Sequence, residues 1–186
     1  MLEMVLNEKQ IERIVQKVAD KLNEFYKDFK EPVVFICVLK GAATFMHDLI
    51  KKIKFPLITD YIQVSSYNGT SSTGVIHLKK DISENIENKH TVIVEDIVDT
   101  GLTLKYLKQY LSIKHHPKDI KICSFIDKVN ARTTPLEADF VGYKLFENKF
   151  LVGYGLDYNE LLRNIPYVFV PTKEEIAQWD EIISKK

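Results

Sequence analysis

The run Val92-Ile-Val-Glu95-Asp96-Ile-Val-Asp99-Thr100-Gly101-Leu102-Thr103-Leu104 gathers more chemically capable groups than any other stretch of the chain. An apolar strand ends in two adjacent acids and passes through a turn of small residues into a helix. Thr100, Gly101 and Thr103 offer hydroxyls and close backbone approach at a helix N-terminus, where free N–H groups and the helix dipole favour a phosphate. Glu95 and Asp96 repel each other and are poor phosphate neighbours unless they grip sugar hydroxyls or a cation. A phosphorylated ribose with Mg2+ meets both conditions. In a short fragment, acids ending a strand and a Gly-Thr helix cap would be the plainer reading. The length and order of this one argue for a ligand. It has neither the Gly-Lys-Ser/Thr ending of a P-loop nor the three-glycine spacing of a dinucleotide fingerprint.

The elements that must position these groups alternate between strand and helix. Asn7 with Gln10 reads as a reciprocal cap, followed by Ile11, Ile14, Val15, Val18, Leu22 and Phe25 on one helical face. Pro32 precedes the continuous apolar run Val33 to Leu39, the pattern of a parallel strand covered on both sides, and Lys40-Gly41 breaks it. Phe45, Met46, Leu49, Ile50 and Ile53 fall at helical spacing until Pro56, and Leu57 to Val64 is again a strand. From Ser65 to Gly74 the composition turns to Ser, Thr, Asn and Gly, which predicts an exposed mobile loop over about 65–78, with a lid as one explanation. Thr91 to Val94, Thr103 to Leu111 and Ile120 to Ile126 continue as strand, helix and strand. This order predicts an α/β fold with a central parallel sheet flanked by helices, its ligands lying beyond the carboxyl ends of the strands. The breaks at Lys40-Gly41, Glu95 to Gly101 and Asp127-Lys128 all fall at such ends. The short runs from Phe140, Phe150 and Tyr167 predict a small flap over the sheet, and a last helix starts near Thr172 with Glu175 as cap partner.

Composition narrows the function classes. The chain of 186 residues fits one domain, 1–186. Lys plus Arg and Asp plus Glu both number 26, so there is no global basic field to hold nucleic acid. No apolar stretch approaches the roughly 20 residues that span a bilayer. The acidic residues 1–9 lack the basic flank and apolar run of a secretory signal. Cys37 and Cys123 sit within apolar runs, as small core residues suited to a reducing compartment. A cytoplasmic protein without membrane or nucleic-acid partners is expected.

The acidic segment resembles, over thirteen consecutive positions, the phosphoribosyl-diphosphate motif of type I phosphoribosyltransferases in its hypoxanthine-guanine form. Further matches, in the expected order, are Leu39-Lys40-Gly41, Ser66-Tyr67, Lys128, and Lys149-Phe-Leu-Val-Gly-Tyr-Gly-Leu-Asp-Tyr-Asn-Glu160 followed by Arg163. The likeness covers nearly the whole chain; the first helix and roughly the last fifteen residues are its least diagnostic parts. It implies the fold of that family, with a hood drawn from the termini. It also implies Mg2+-dependent transfer of 5-phosphoribosyl from 5-phosphoribosyl 1-diphosphate to hypoxanthine or guanine, giving IMP or GMP plus diphosphate.

By the same resemblance, Glu95, Asp96, Asp99, Thr100, Gly101, Leu102 and Thr103 would hold the ribose phosphate, with Asp99 the catalytic proton acceptor beside the purine. Lys40, Gly41, Ser66, Tyr67 and Arg163 would contact diphosphate, the Ser-Tyr pair by closing over it. The Leu39-Lys40 peptide would be cis. Lys128, Phe150, Leu151 and Asp157 would bind the purine, Lys128 as donor to its 6-oxo group and Phe150 as stacking partner. Glu95, Asp96 and Asp157 would help to place magnesium. Family members assemble as homodimers or homotetramers. His47, His77, His90, His115 and His116 fall outside the matched motifs and receive no role. Gly155, Leu156, Asn159 and Leu162 leave the preferred base open, so a xanthine-guanine preference stands as an alternative. A regulator that keeps the fold but binds RNA or DNA is a further alternative, disfavoured by neutral charge and by the retained Asp99 and Lys128.

Overall fold

In the computed structural model the chain is described over residues 3–66 and 76–185. Strand β1 (Glu3–Leu6) leads into helix α1 (Glu8–Tyr26), and β2 (Val33–Leu39) into α2 (Ala43–Ile50). Strands β3 (Leu57–Ser66), β4 (Ile76–Lys80) and β5 (His90–Val98) precede α3 (Leu102–His115). Then come β6 (Asp119–Lys128), a 3-10 turn at Val129–Ala131, β7 (Phe140–Leu145), β8 (Val168–Val170) and α4 (Lys173–Ser184). The expected caps are present at both ends of the chain: Asn7 with Gln10 opens α1, and Thr172 with Glu175 opens α4.

Six strands form the main sheet in the order β4-β3-β2-β5-β6-β7. All neighbours run parallel except β4, which is antiparallel to β3. The sheet is therefore mixed, and Ser65, Ser66 and Ile76 to Leu78 belong to strands, not to the loop expected over about 65–78. β4 escaped notice because its inward Ile76 and Leu78 alternate with His77, Lys79 and Lys80, a polar pattern that suits an edge strand. The rest of that segment, including Tyr67, lies outside the described residues.

Alternation across the sheet explains the apolar runs. Val33, Phe35 and Cys37 face α1 and α2, together with Val92, Val94, Cys123 and Phe125. Val34, Ile36, Val38, Ile93 and Ile122 face the opposite way, under Leu104, Leu107 and Leu111 of α3. Both cysteines are buried free thiols, and burial pushes the Cys37 thiol up to about 12. On α1 the apolar face is rotated slightly from expectation, with Tyr26 buried and Phe25 half exposed.

Two further differences concern the tail. Phe140–Leu145 pairs with β6 as the edge of the main sheet and is no part of a flap. The second sheet joins the ends of the chain, β1 with β8 in antiparallel register, and Val152 adds a bridge to Phe169. This hood was expected at the termini, but its N-terminal strand was not, since four residues carry too little periodicity. No described helix is long and apolar enough to cross a membrane.

A polar knot ties α3 to the chain leaving β4. Asp81 accepts hydrogen bonds from Tyr110 Oη at 2.6 Å and Lys114 Nζ at 2.7 Å, while Asp81 Oδ1 accepts the Ile82 N–H at 2.9 Å. Burial alone would raise this carboxyl, but the Lys114, Tyr110 and Ile82 donors outweigh it and hold it at about 2. Ionised Asp81 thus stabilises the fold above its unfolded value near 4, and that contribution disappears as pH falls through 2. Asp81→Asn is expected to cost about 1 kcal/mol at pH 7. Urea denaturation of both proteins should show the gap closing between pH 4 and pH 2; a gap independent of pH would reject the ionised carboxylate as its source.

Candidate active site

Pairing between β2 and β5 stops at Cys37 with Val94. Beyond that point β2 follows β3 as far as Leu39 with Gln63, and β5 follows β6 as far as Val98 with Asp127. The strand order reverses here, so the two strands part and open a crevice, the usual ligand position in such sheets. The crevice is a cleft of about 370 Å3 lined by Lys40, Gly41, Glu95, Asp96, Asp99, Thr100, Gly101, Thr103, Asp157 and Arg163, among others. Ten of the residues singled out from the sequence therefore meet in one place. A larger hollow of about 1130 Å3, between the start of α1, α2 and residues 163–166, shares Arg163 but none of the Glu95–Thr103 segment.

Glu95 and Asp96 lie within β5 and not after it, because pairing with β6 carries the strand on to Val98. The Asp96 N–H meets Glu95 Oε1 at 3.3 Å, and the Ile97 N–H donates to Asp96 Oδ1 at 2.8 Å. Burial, then repulsion from Asp96, pushes the Glu95 carboxyl well above the usual range, and burial raises Asp96 as well. The Lys40-Gly41 turn presses directly against this pair: a Cβ on Gly41 would stand 1.7 Å from Asp96 Oδ2. The Leu39-Lys40 peptide is cis.

The small-residue turn continues the cleft wall. Gly101, with φ +85°, occupies the N-cap of α3 and supplies no side-chain acceptor to the first-turn N–H groups. Thr100 Oγ1 lies 3.4 Å from the Leu102 N–H. Behind the turn, the Thr100 carbonyl accepts from the Thr133 N–H at 3.1 Å and from Thr134 Oγ1 at 3.1 Å. Arg132 Nε donates to the Asp99 carbonyl at 3.1 Å, its Nη1 meets the Leu136 carbonyl, and its Nη2 pairs with Asp127. Sequence reasoning missed this brace of Arg132, Thr133 and Thr134. Its only mark in the sequence is a polar stretch after β6, which reads as any surface loop.

Lys128 is buried at the end of β6, and its Nζ donates to Asp99 Oδ2 at 3.3 Å. Two candidates drawn from distant parts of the chain therefore touch. Phe150 is half exposed and meets the Tyr158 ring edge-on at 6.1 Å, and Leu151 is buried beneath. Neither these two nor Lys128 lines the cleft itself. Leu102 also stands outside it, exposed on α3. Ser66 ends β3, and Tyr67 is outside the described residues.

Asp157 lines the same cleft as Glu95 and Asp96. Its carboxylate takes the Glu160 N–H at 2.8 Å and Arg163 Nη2 at 2.9 Å. Lys40 Nζ donates to Glu160 at 2.8 Å, and this bond, ahead of the Arg163 charge, holds the Glu160 carboxyl below its usual range.

Comparison with known proteins agrees with this geometry. The phosphoribosyl transferase domain model matches residues 1–159. A hypoxanthine-guanine phosphoribosyltransferase of Aquifex aeolicus is 42% identical, the match covering 91% of this chain and 94% of the relative. The hypoxanthine-guanine-xanthine phosphoribosyltransferase of Tritrichomonas foetus is also 42% identical, with 90% of each chain covered. The crystal structure of a hypoxanthine phosphoribosyltransferase from Staphylococcus aureus superposes with a TM-score of 0.86 at 42% identity, covering 92% of each chain. With its acid pair, glycine turn and phosphate-type helix start assembled in one cleft, the chain belongs to the phosphoribosyltransferase family, among its hypoxanthine-guanine members.

Proposed function

We propose that this enzyme salvages 6-oxopurines, joining hypoxanthine or guanine to the ribose of 5-phosphoribosyl 1-diphosphate and releasing diphosphate. The observation that carries this reading is the cleft where β2 and β5 part, because it sets Lys40 and Gly41, the Glu95–Asp96 pair and the Thr100–Thr103 turn around a volume of about 370 Å3. We read all of 1–186 as one phosphoribosyltransferase domain, since both apolar cores share a single sheet. The buried thiols support a reducing, cytoplasmic setting. A homodimer or homotetramer is the assembly we propose.

The sugar's 5-phosphate would dock on Thr100–Thr103, against first-turn N–H groups. Glu95 and Asp96 suit the ribose hydroxyls and a magnesium ion, since two buried carboxylates with raised affinity for protons gain most from a cation or from donors. Magnesium characteristically takes one or two carboxylates and completes its shell with substrate oxygens and water, and Asp157, in the same cleft, would help to place it. When bound, the ion would neutralise charge growing on the leaving diphosphate. Lys40 and Arg163 would bind that diphosphate, with Gly41, Ser66 and Tyr67 beside it. The purine would rest on Phe150 over Leu151, near Asp157, with Lys128 donating to its 6-oxo group. As the purine nitrogen forms its bond to the anomeric carbon and the bond to diphosphate breaks, the nitrogen's proton would pass to Asp99.

A second reading adds xanthine to the accepted bases, and the Tritrichomonas foetus relative favours it. A spectrophotometric assay with hypoxanthine, guanine, xanthine and adenine, each with and without magnesium, tests both readings. Turnover of none of them would reject the activity.

Asp99→Asn is expected to lower kcat by about 10²- to 10⁴-fold, the usual contribution of a general base, while binding of the sugar substrate is kept. Steady-state rates and equilibrium binding measure the two separately, and an unchanged kcat would remove Asp99 from the chemistry. Lys128→Ala should raise KM for hypoxanthine and guanine by roughly tenfold or more, because a hydrogen bond to a charged donor is lost from a buried position. KM for the sugar should move far less. Equal shifts in both would contradict a role confined to the base.

A further inference from the structure

Glu160 has no part in the reaction as proposed, yet its position is tightly specified. Tyr158 and Leu161 exchange backbone hydrogen bonds of 3.1 and 2.9 Å, closing a two-residue turn around Asn159 and Glu160. Both central residues have positive φ, +47° and +71°. Turns of this kind favour glycine at the second position, so a glutamate kept there carries a conformational cost that its side chain must justify. The Glu160 N–H is anchored to Asp157 at 2.8 Å. The Glu160 carboxylate then spans the two cations assigned to the leaving group: Oε2 takes Lys40 Nζ at 2.8 Å, and Oε1 lies 3.5 Å from Arg163 Nη2.

We infer that Glu160 is an internal stand-in for diphosphate, a tethered carboxylate that neutralises Lys40 and Arg163 between turnovers, gives way when the sugar's diphosphate arrives, and returns as diphosphate leaves. This rests on the assignment of Lys40 and Arg163 to the leaving group. The exchange needs a weak, reversible pair. Lys40 and Glu160 are 54% and 59% exposed, and ion pairs in such surroundings shift an equilibrium by only about two- to fivefold. A carboxylate tethered at the site competes at high local concentration, so it keeps two cations from holding diphosphate too firmly while each incoming sugar diphosphate, with its greater charge, still displaces it.

The test is calorimetric titration of the full chain with inorganic diphosphate at fixed magnesium, paired with KM for the sugar and for hypoxanthine. Glu160→Gln removes the charge, and Glu160→Gly removes it while relaxing the turn, so the second variant folds even where the first is strained. Both are expected to bind diphosphate about two- to fivefold more tightly, with KM for the sugar lowered to match and KM for hypoxanthine unchanged. In a Lys40→Ala background the gain from Glu160→Gln should shrink, since the competing contact is already gone. Diphosphate binding that is equal or weaker in both variants overturns the inference, because Glu160 would then organise the cations and not compete for them. A parent protein that fails to bind diphosphate overturns the assignment of Lys40 and Arg163, and the inference falls with it.

Discussion

Close approach of the Gly155 backbone to the Gly41 backbone, and of Gly41 to the Asp96 side chain, without room for a single methyl group is the constraint on which the cleft depends. A Cβ on Gly155 would stand 2.2 Å from the Gly41 carbonyl oxygen, and a Cβ on Gly41 would stand 1.7 Å from Asp96 Oδ2. The hood, the Lys40 turn and the acid pair are therefore stacked in direct contact. Gly155 also has φ +96°, so a side chain there would be strained as well as blocked. The stack explains why Asp157 and Arg163, far along the chain, line the same volume as Lys40 and Glu95. It also places the hood's backbone bonds, Tyr154 N–H to Ile165 at 2.7 Å and Gly155 N–H to Arg163 at 3.0 Å, in the service of the cleft.

The sheet supplies the other half of the arrangement. Parallel strands β2 and β5 are held by pairing from Val34 with Thr91 to Cys37 with Val94 and then released. Beneath the release point the side chains are wholly apolar, Phe35, Cys37, Val92 and Val94 on one face and Ile36 and Ile93 on the other. A tightly packed floor resists deformation, so the groups projecting just above it, Leu39 to Gly41 and Glu95 to Asp99, keep their spacing. The brace from Arg132, Thr133 and Thr134 fixes the far wall by bonding to the carbonyls of Asp99 and Thr100. Gly101 must lack a side chain for the same reason, since a Cβ would stand 2.3 Å from Thr134 Oγ1.

Buried parallel strands and capped helices were plain in the sequence because their physics is local: Val33 to Leu39 is apolar throughout, and Asn7 and Thr172 each have a cap partner three residues on. β4 and β1 were not, since edge strands half open to water mix polar with apolar side chains and are defined by partners distant in sequence. Phe140–Leu145 was seen as a strand but assigned to the wrong sheet, a choice that pairing with β6 decides and composition does not. The Glu95–Thr103 segment stood out because two adjacent acids ahead of a Thr-Gly helix start are unusual neighbours within a few residues, and the structure gathers them in one cleft. Arg132 and Glu160 did not, as their value lies in what they touch across the fold, at Asp99 and Lys40.

Charge in and around the cleft is largely balanced by the chain's own groups: Lys128 with Asp99, Lys40 with Glu160, Arg163 with Asp157. Of the described charged residues that line the cleft, Glu95 and Asp96 form no ion pair, and burial raises both carboxyls. Leaving the buried Lys128 without a partner would cost far more than a surface pair contributes. In the reaction proposed, the substrates meet these groups in turn: the 6-oxo group draws on Lys128, and ribose hydroxyls with a divalent cation would face the acid pair, while by the further inference diphosphate takes the place of Glu160 at Lys40. Binding then proceeds by exchange of partners, so net affinity stays modest although many charged contacts form. Such an exchange suits an enzyme that must release a highly charged product at every turnover.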